Sequence, residues 1–174
     1  MTNLPLPTRK TSRLLLRAIT DADLSNVFTG LSDPAVTRYY GVSYDSLEAT
    51  KAQLRWFAAP EQRWWAICAP DNQTFYGAGG LNDIDLQEKK AEIGLWLLPS
   101  FWGQGIMQAA FPLIVAYGFE QLGLHRIEGF VETGNTNCRR AMAKLDFTCE
   151  KILEEAEGKN GEPISLAVYA KTRA

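Results

Sequence analysis

Histidine is nearly absent from this chain: 174 residues contain one, His125. A lone imidazole excludes histidine-rich catalysis and argues against a metal site built by the protein. Cysteine is also scarce. Cys68, Cys138 and Cys149 are odd in number and not closely paired, which gives no zinc spacing and suits a reducing compartment. No apolar run approaches the ~20 residues of a membrane-spanning helix. The opening MTNLPLPTRKTSR lacks the apolar core of a signal peptide, so a cytoplasmic protein with no membrane partner is expected. The formal net charge is −2, and no basic field is present to hold nucleic acid. No Gly-Lys-Ser or Gly-Lys-Thr occurs, so a P-loop is excluded.

What remains is ordinary globular composition, 46% hydrophobic and 22% charged, which predicts one domain over residues 1–174. RLLLRAI (13–19) reads as a strand, and Thr20-Asp21-Ala22-Asp23 as the capping start of a helix to about Leu31, with a break at Asp33-Pro34. SLEATKAQLRWF from Ser46 predicts a second helix with Leu47, Leu54 and Phe57 near one face. WWAIC (64–68), FYGAGGL (75–81) and AEIGLWLL (91–98) read as strands, the last stopped by Pro99. A helix from about Gly105 to Leu122 contains Pro112, which predicts a kink or a later start. A strand over 125–133, a short helix capped at 135–137, and two strands in 149–171 joined by a Gly158-Lys159-Asn160-Gly161 turn complete the order. The pattern is α+β: a mixed sheet of about six to seven strands, mostly antiparallel, flanked by helices.

Between AEIGLWLL and the helix after it stand two glycines, Gly103 and Gly105. A strand, a glycine turn and a helix N-terminus can form an anion site, because the first helical amides have no internal partners. The same glycines also fit a tight corner that needs only positive φ. A Rossmann fingerprint would need a third glycine where this chain has Gln108.

The pieces AEIG-W-L, P-x-x-W-G-x-G, Y-x-F-x-x-L-G-L-H-R-I-E, N-x-x-C and K-L-x-F follow one another from Ala91 to Phe147. In that order and spacing they resemble the GNAT N-acetyltransferases, in particular the RimJ/RimL-type branch. The front end TSRLLLR resembles that branch's opening T-x-R-L-x-L-R. The resemblance implies the GNAT fold and an acetyl-CoA-dependent N-acetyltransferase, with no metal, whose acceptor is a protein N-terminal amine or a small-molecule amine. It also implies that amides of Gly103, Gln104, Gly105, Ile106, Met107 and Gln108 hold the pyrophosphate. The main chain at Trp96, Leu97 and Leu98 would pair with the pantetheine arm. Family members are often homodimers. Met107 departs from the usual Gly or Ala, and Asp146 from glycine.

Acetyl transfer to an amine needs a proton acceptor, donors for a developing oxyanion, and a proton for the leaving thiolate. Strand alternation puts Glu92, Gly94 and Trp96 on one face, with room beside the carboxylate, which makes Glu92 the candidate base; a surface carboxylate paired to Lys89 or Lys90 is the other reading. Asn135 fits a pantetheine contact, a helix cap, or both. Cys138 stands where the family has a serine proposed to assist thiolate departure; it fits that catalytic role or a buried small apolar one. Arg139, Arg140 and Lys144 fit either phosphate contacts or a solvated face. The family resemblance gives Tyr39 and Tyr40 to the acceptor groove, while Trp64 and Trp65 read as core. The rival from another class is a non-catalytic acyl-CoA-binding regulatory module with the same fold.

Overall fold

A computed structural model describes residues 6–158 and 161–174; Lys159 and Asn160 of the expected last turn lie outside the described residues. Among the described residues, eight strands form one sheet in the order β1-β2-β3-β4-β5-β6-β8-β7. They are β1 (Arg9–Lys10), β2 (Leu15–Ala18), β3 (Arg63–Cys68), β4 (Phe75–Asp85), β5 (Lys90–Leu97), β6 (Arg126–Glu132), β7 (Thr148–Glu157) and β8 (Pro163–Thr172). Every pairing is antiparallel except β5 with β6. The extra strand over the expected count is β1, two residues long and too short to show a period-2 pattern.

Helices α1 (Leu24–Leu31), α2 (Pro34–Thr37) and α3 (Leu47–Phe57) cross from β2 to β3; α4 (Ile106–Ala116) and α5 (Thr136–Lys144) flank β6. Two cores result, one on each face of the sheet. Val27, Leu31, Phe57, Trp64 and Trp96 fill the first. Trp65, Ile67, Ile93, Phe111, Ile114, Ile127 and Met142 belong to the second. Period-2 alternation explains why the neighbours Trp64 and Trp65 separate to opposite faces. On α1, Gly30 is required by close approach, since a Cβ there would lie 2.2 Å from Cζ3 of Trp96.

Several expectations need correction. The buried face of α3 is Thr50, Gln53 and Phe57, while Leu47 is exposed, because Tyr44 and the first core meet the helix from the other side. The break at Asp33-Pro34 opens a further short helix, α2, in which Asp33 caps the amide of Ala35 at 2.9 Å. The helix after the glycine turn starts at Ile106 rather than later, with Pro112 inside it, and continues as a π-helical turn over Tyr117–Gln121. Among the described residues, no helix is long and apolar enough to cross a membrane.

The opening motif has a physical explanation. Arg17 reaches Asp23 with two hydrogen bonds of 2.8 and 2.9 Å, and the amide of Thr20 donates to the same carboxylate at 2.9 Å. Burial alone would raise the Asp23 carboxyl, but the Arg17 and Thr20 hydrogen bonds outweigh it and hold the group below the usual carboxylate range. A carboxyl depressed in the folded state stabilises above its unfolded pKa, so this contribution is present at neutral pH and lost as acid protonates Asp23. Asp23→Ala strands the Arg17 guanidinium, which is partly solvated; a loss of about 2–3 kcal/mol, below the range for fully buried pairs, is expected at pH 7 in urea denaturation. The difference from the parent protein should shrink as pH falls towards 3.

Candidate active site

Strands β5 and β6 run side by side only at their starts. The register pairs Lys90 with Arg126, Ala91 with Ile127 and Glu92 with Glu128, and there it ends. Beyond that point each strand keeps its outer partner, β5 on β4 to Leu97 and β6 on β8 to Glu132. Gly129 is the first residue past the fork, and Met142 of α5 fills the space its side chain would take, 2.5 Å from an ideal Cβ.

Hydrogen-bond parity identifies the backbone groups that face the gap. The amide of Leu98 donates to the Tyr76 carbonyl at 2.8 Å, and the Lys89 carbonyl accepts from His125 and Arg126. Alternation then turns the even residues of β5 towards β4 and the odd ones, Leu95 and Leu97, towards the gap. On β6 the amide of Thr133 donates to the Ser165 carbonyl at 2.9 Å, which leaves Phe130 facing the gap. The free edge therefore differs from the expected Trp96, Leu97 and Leu98. Both backbone groups of Leu98 are taken, its carbonyl by the Phe101 amide at 3.0 Å, and Trp96, which also lines the cleft, turns its backbone towards Ala78 of β4.

At the far end of β5 the chain turns through Pro99–Phe101 into α4. Gly103 and Gly105 both have φ +75°, and Gly105 caps α4. A Cβ at Gly103 would meet nothing within 4 Å, whereas one at Gly105 would lie 3.4 Å from the Arg13 guanidinium nitrogens. The corner thus needs glycine for its backbone in any case. It also has the anion geometry, since none of the amides from Gly103 to Gln108 has an acceptor among the described residues. These six consecutive free donors begin a helix whose dipole is positive at that end.

Glu92 sits at the fork. It is half-buried and forms no ion pair with Lys89 or Lys90 among the described residues. Burial, then the nearby Asp83 charge, push its carboxyl up to about 7; an Asn82 hydrogen bond opposes this and Glu128 adds to it. The register irregularity lies in β4 between Asn82 and Asp85, so Glu92, Gly94 and Trp96 keep one phase. The room beside Gly94 is not empty, because the Trp64 ring edge would be 2.9 Å from a Cβ there. Tyr40 stands close enough for Glu92 to raise its hydroxyl further, on top of the effect of burial. Tyr39 bridges the cleft mouth, its hydroxyl donating to the Gly134 carbonyl at 3.3 Å.

Asn135 caps α5, accepting from the Cys138 amide at 3.3 Å. Burial pushes the Cys138 thiol up to about 11. Donating its proton to a thiolate of ordinary pKa, about 8.5, would run uphill roughly 300-fold. The thiol fits the small apolar role and is poorly suited to the acid role. Arg139 donates to the Tyr169 hydroxyl at 3.1 Å, and Arg140, Lys144 and His125 are exposed; none of the four lines the cleft. The backbone of His125 ties β6 to Lys89 and Arg173.

One cleft of about 1130 Å³ unites most of the expected residues. Tyr39, Tyr40, Glu92 and Trp96 line it, as do Leu97, Asn135 and Cys138, and the turn contributes Gly103, Gly105, Ile106, Met107 and Gln108. Gln104 and Leu98 do not. Residues absent from the sequence reading join in: Asn82 through its register with Glu92, and Phe101, Phe111 and Met142 as apolar lining. No local sequence signal marks them, because each depends on a partner distant in the chain.

This architecture can be compared with known proteins. The profile of the acetyltransferase (GNAT) domain matches residues 13–148. The chain belongs to the GNAT acetyltransferase family. It is 35% identical over 169 residues to the uncharacterized N-acetyltransferase YoaA of Bacillus subtilis, covering 94% of this chain and 96% of that one. It is 34% identical over 85 residues, 49% of this chain and 44% of the other, to YdaF of Bacillus subtilis, provisionally named a ribosomal N-acetyltransferase. Among solved structures, spermidine N-acetyltransferase from Vibrio cholerae, in complex with CoA and spermine, superposes with a TM-score of 0.84 at 20% identity, covering 93% of this chain and 96% of that one. The mixed sheet split at its one parallel pair is thus a GNAT fold, and the protein is an acetyltransferase.

Thiol reactivity checks the placement of the cysteines in this GNAT enzyme. Cys149 is exposed, Cys68 is buried with its thiol raised by burial, and Cys138 is raised to about 11. At pH 8 the native protein should show one fast-reacting thiol with Ellman's reagent, and Cys149→Ser should abolish it. A second fast thiol that disappears in Cys138→Ser would contradict the burial of Cys138.

Proposed function

We propose that the chain is a single acetyl-CoA-dependent N-acetyltransferase domain of the RimJ/RimL-type branch that acetylates a primary amine in this cleft. The observation that carries the reading is that one cleft runs from the free amides of the glycine turn, along the edge of β5 that faces β6, to Glu92. A pyrophosphate suits the free amides, as an anion at a helix N-terminus. An extended arm of secondary amides suits the edge at Leu95 and the amide of Leu97, whose carbonyl the Trp102 indole already holds; strand-like pairing there satisfies both partners. Acetyl-CoA has both groups and supplies the activated acetyl.

The residues of this chain then have distinct tasks. Glu92, about half ionised near pH 7, takes the proton from the acceptor ammonium. Asn82 and Asp83 tune it, one by hydrogen bonding and the other by charge. Backbone amides at the fork are the donors available to the thioester oxygen as it gains charge. Cys138 packs, and the leaving thiolate, an ordinary thiol near 8.5, takes its proton from solvent. Tyr39 and Tyr40 wall the acceptor side.

The pKa of Glu92 bears on the acceptor. An α-amine near 7.7–8.0 is closely matched to a base near 7, whereas a polyamine or lysine-type amine near 10.4 is not. Arg38, Glu92 and Glu132 are the charged residues lining the cleft among those described, too little net negative charge to favour a polycation. An N-terminal α-amine is therefore the favoured acceptor, in keeping with the ribosomal assignment of YdaF. The raised Cys138 thiol favours the rival, a CoA-binding module without transfer, to the extent that it removes one proton donor.

The deciding assay measures thiol released from acetyl-CoA over a panel of N-terminal peptides, amino acids and polyamines. Turnover with α-amines above spermidine is expected; thermal stabilisation by CoA with no thiol release from any amine would leave only the binding module. Because the base must be deprotonated, kcat/KM should fall about tenfold per pH unit below an apparent pKa near 7. Glu92→Gln should lower it on the order of 10²–10⁴-fold and remove that inflection. An unchanged pH profile in the variant would exclude Glu92 as the base.

A further inference from the structure

The turn that offers free amides ties down six of the nine carbonyls from Leu97 to Gly105. A carbonyl oxygen turned towards an anion repels it, so a bond that draws a carbonyl to the other side favours the site. Trp102 donates its indole N–H to the Leu97 carbonyl at 2.9 Å, and Gln104 donates its side-chain amide to the Ser100 carbonyl at 3.2 Å. Backbone amides of Phe101, Trp102 and Ala109 take the carbonyls of Leu98, Pro99 and Gly105. No donor reaches the carbonyls of Phe101, Trp102 and Gly103 among the described residues, and the Gln104 carbonyl belongs to the peptide it shares with the Gly105 amide. The Gln104 carbonyl is held from far away in the sequence. It accepts from the Arg13 guanidinium at 2.7 Å, across 91 residues of sequence. Among these bonds it alone comes from outside the turn.

Arg13 is itself held in place. It lies between β1 and β2, where the Thr11 hydroxyl accepts from the amides of Arg13 and Leu14 at 3.1 and 3.2 Å, and the Thr11 amide donates to the Leu14 carbonyl at 2.9 Å. Leu14, 1% exposed, anchors this corner in the core. Thr11 makes the turn, Leu14 fixes its depth, and Arg13 between them projects onto the glycine turn.

We propose that Arg13 is a positioning residue for the donor's pyrophosphate. Its hydrogen bond holds the Gln104 carbonyl away from the anion, so that the next amide, at Gly105, presents its N–H. It also brings a positive charge within 3.4 Å of the Gly105 Cβ position, at the edge of the free amides. The long-range bond makes the shape of the anion site depend on the N-terminal hairpin. This proposal rests on the reading of the glycine turn as the pyrophosphate site.

The test compares acetyl-CoA with acetyl-pantetheine, a thioester lacking the pyrophosphate, in the parent protein and in Arg13→Ala, Arg13→Gln and Arg13→Lys. Arg13→Ala should raise KM for acetyl-CoA about tenfold, equivalent to about 1.4 kcal/mol, with kcat at saturation changed less than twofold. KM for acetyl-pantetheine should not move. Arg13→Lys, still a cationic donor, should recover most of the loss, and Arg13→Gln, a neutral donor, only part. Equal KM changes for both donors, a loss confined to kcat, or no rescue by lysine would each overturn the proposal. So would an unchanged KM for acetyl-CoA in Arg13→Ala. Wild-type protein that shows no preference for acetyl-CoA over acetyl-pantetheine would instead overturn the pyrophosphate site itself. Thermal melts of each variant without ligand separate a folding defect from a binding one, and unchanged melting is expected for Arg13→Lys.

Discussion

The cleft depends on one interrupted ladder. After Glu92 and Glu128 the parallel pairing of β5 and β6 stops, and two strand edges face each other without bonding. Unpaired backbone groups inside a protein cost about 1–3 kcal/mol each, so a sheet splits this way only where other packing holds the strands apart. Here the outer partners β4 and β8 hold each strand in register, and Met142 is seated at Gly129 where the fork opens. The unsatisfied edge is thereby kept ready for an extended ligand with its own amides.

Around that split the electrostatics separate into two ends. Free helical amides and Arg13 make one end positive, where the glycine turn meets α4. At the fork, burial and the carboxylates of Asp83 and Glu128 keep Glu92 from ionising fully at neutral pH. A group that binds a polyanion and a group that accepts a proton are thus placed at opposite ends of one cleft, each in the potential its task requires. The corner between β1 and β2 joins the second core to the turn through Leu14 and Arg13, so a feature of the N-terminal motif acts on a loop far along the chain.

Much of this was legible in the residues. The apolar runs WWAIC and AEIGLWLL mark strands, Pro99 marks an end, and Asn135 and Ser46 mark helix starts, because these signals are local and rest on backbone geometry. The α3 face was misjudged at Leu47 because a helix carries apolar residues on more than one side, and packing chooses among them. Trp96 and Leu98 were assigned to the free edge of β5, and Leu95 was not, because hydrogen-bond parity depends on which strand lies on which side. Asn82 carried no local mark, and the N-terminal motif that contains Arg13 gave no sign of what Arg13 would touch. One matters through a cross-strand register, the other through a contact 91 residues away.

The sequence by itself determined the elements, the positive-φ corner at Gly103 and Gly105, and the resemblance that points to acetyl transfer, since these depend on short-range sterics and on residue order. The tertiary structure decided where the sheet splits, which amides remain free, and that Glu92 is driven to about 7 while Cys138 is driven to about 11. Pairing partners and burial are properties of the folded neighbourhood, and a carboxylate or a thiol acquires its chemistry there.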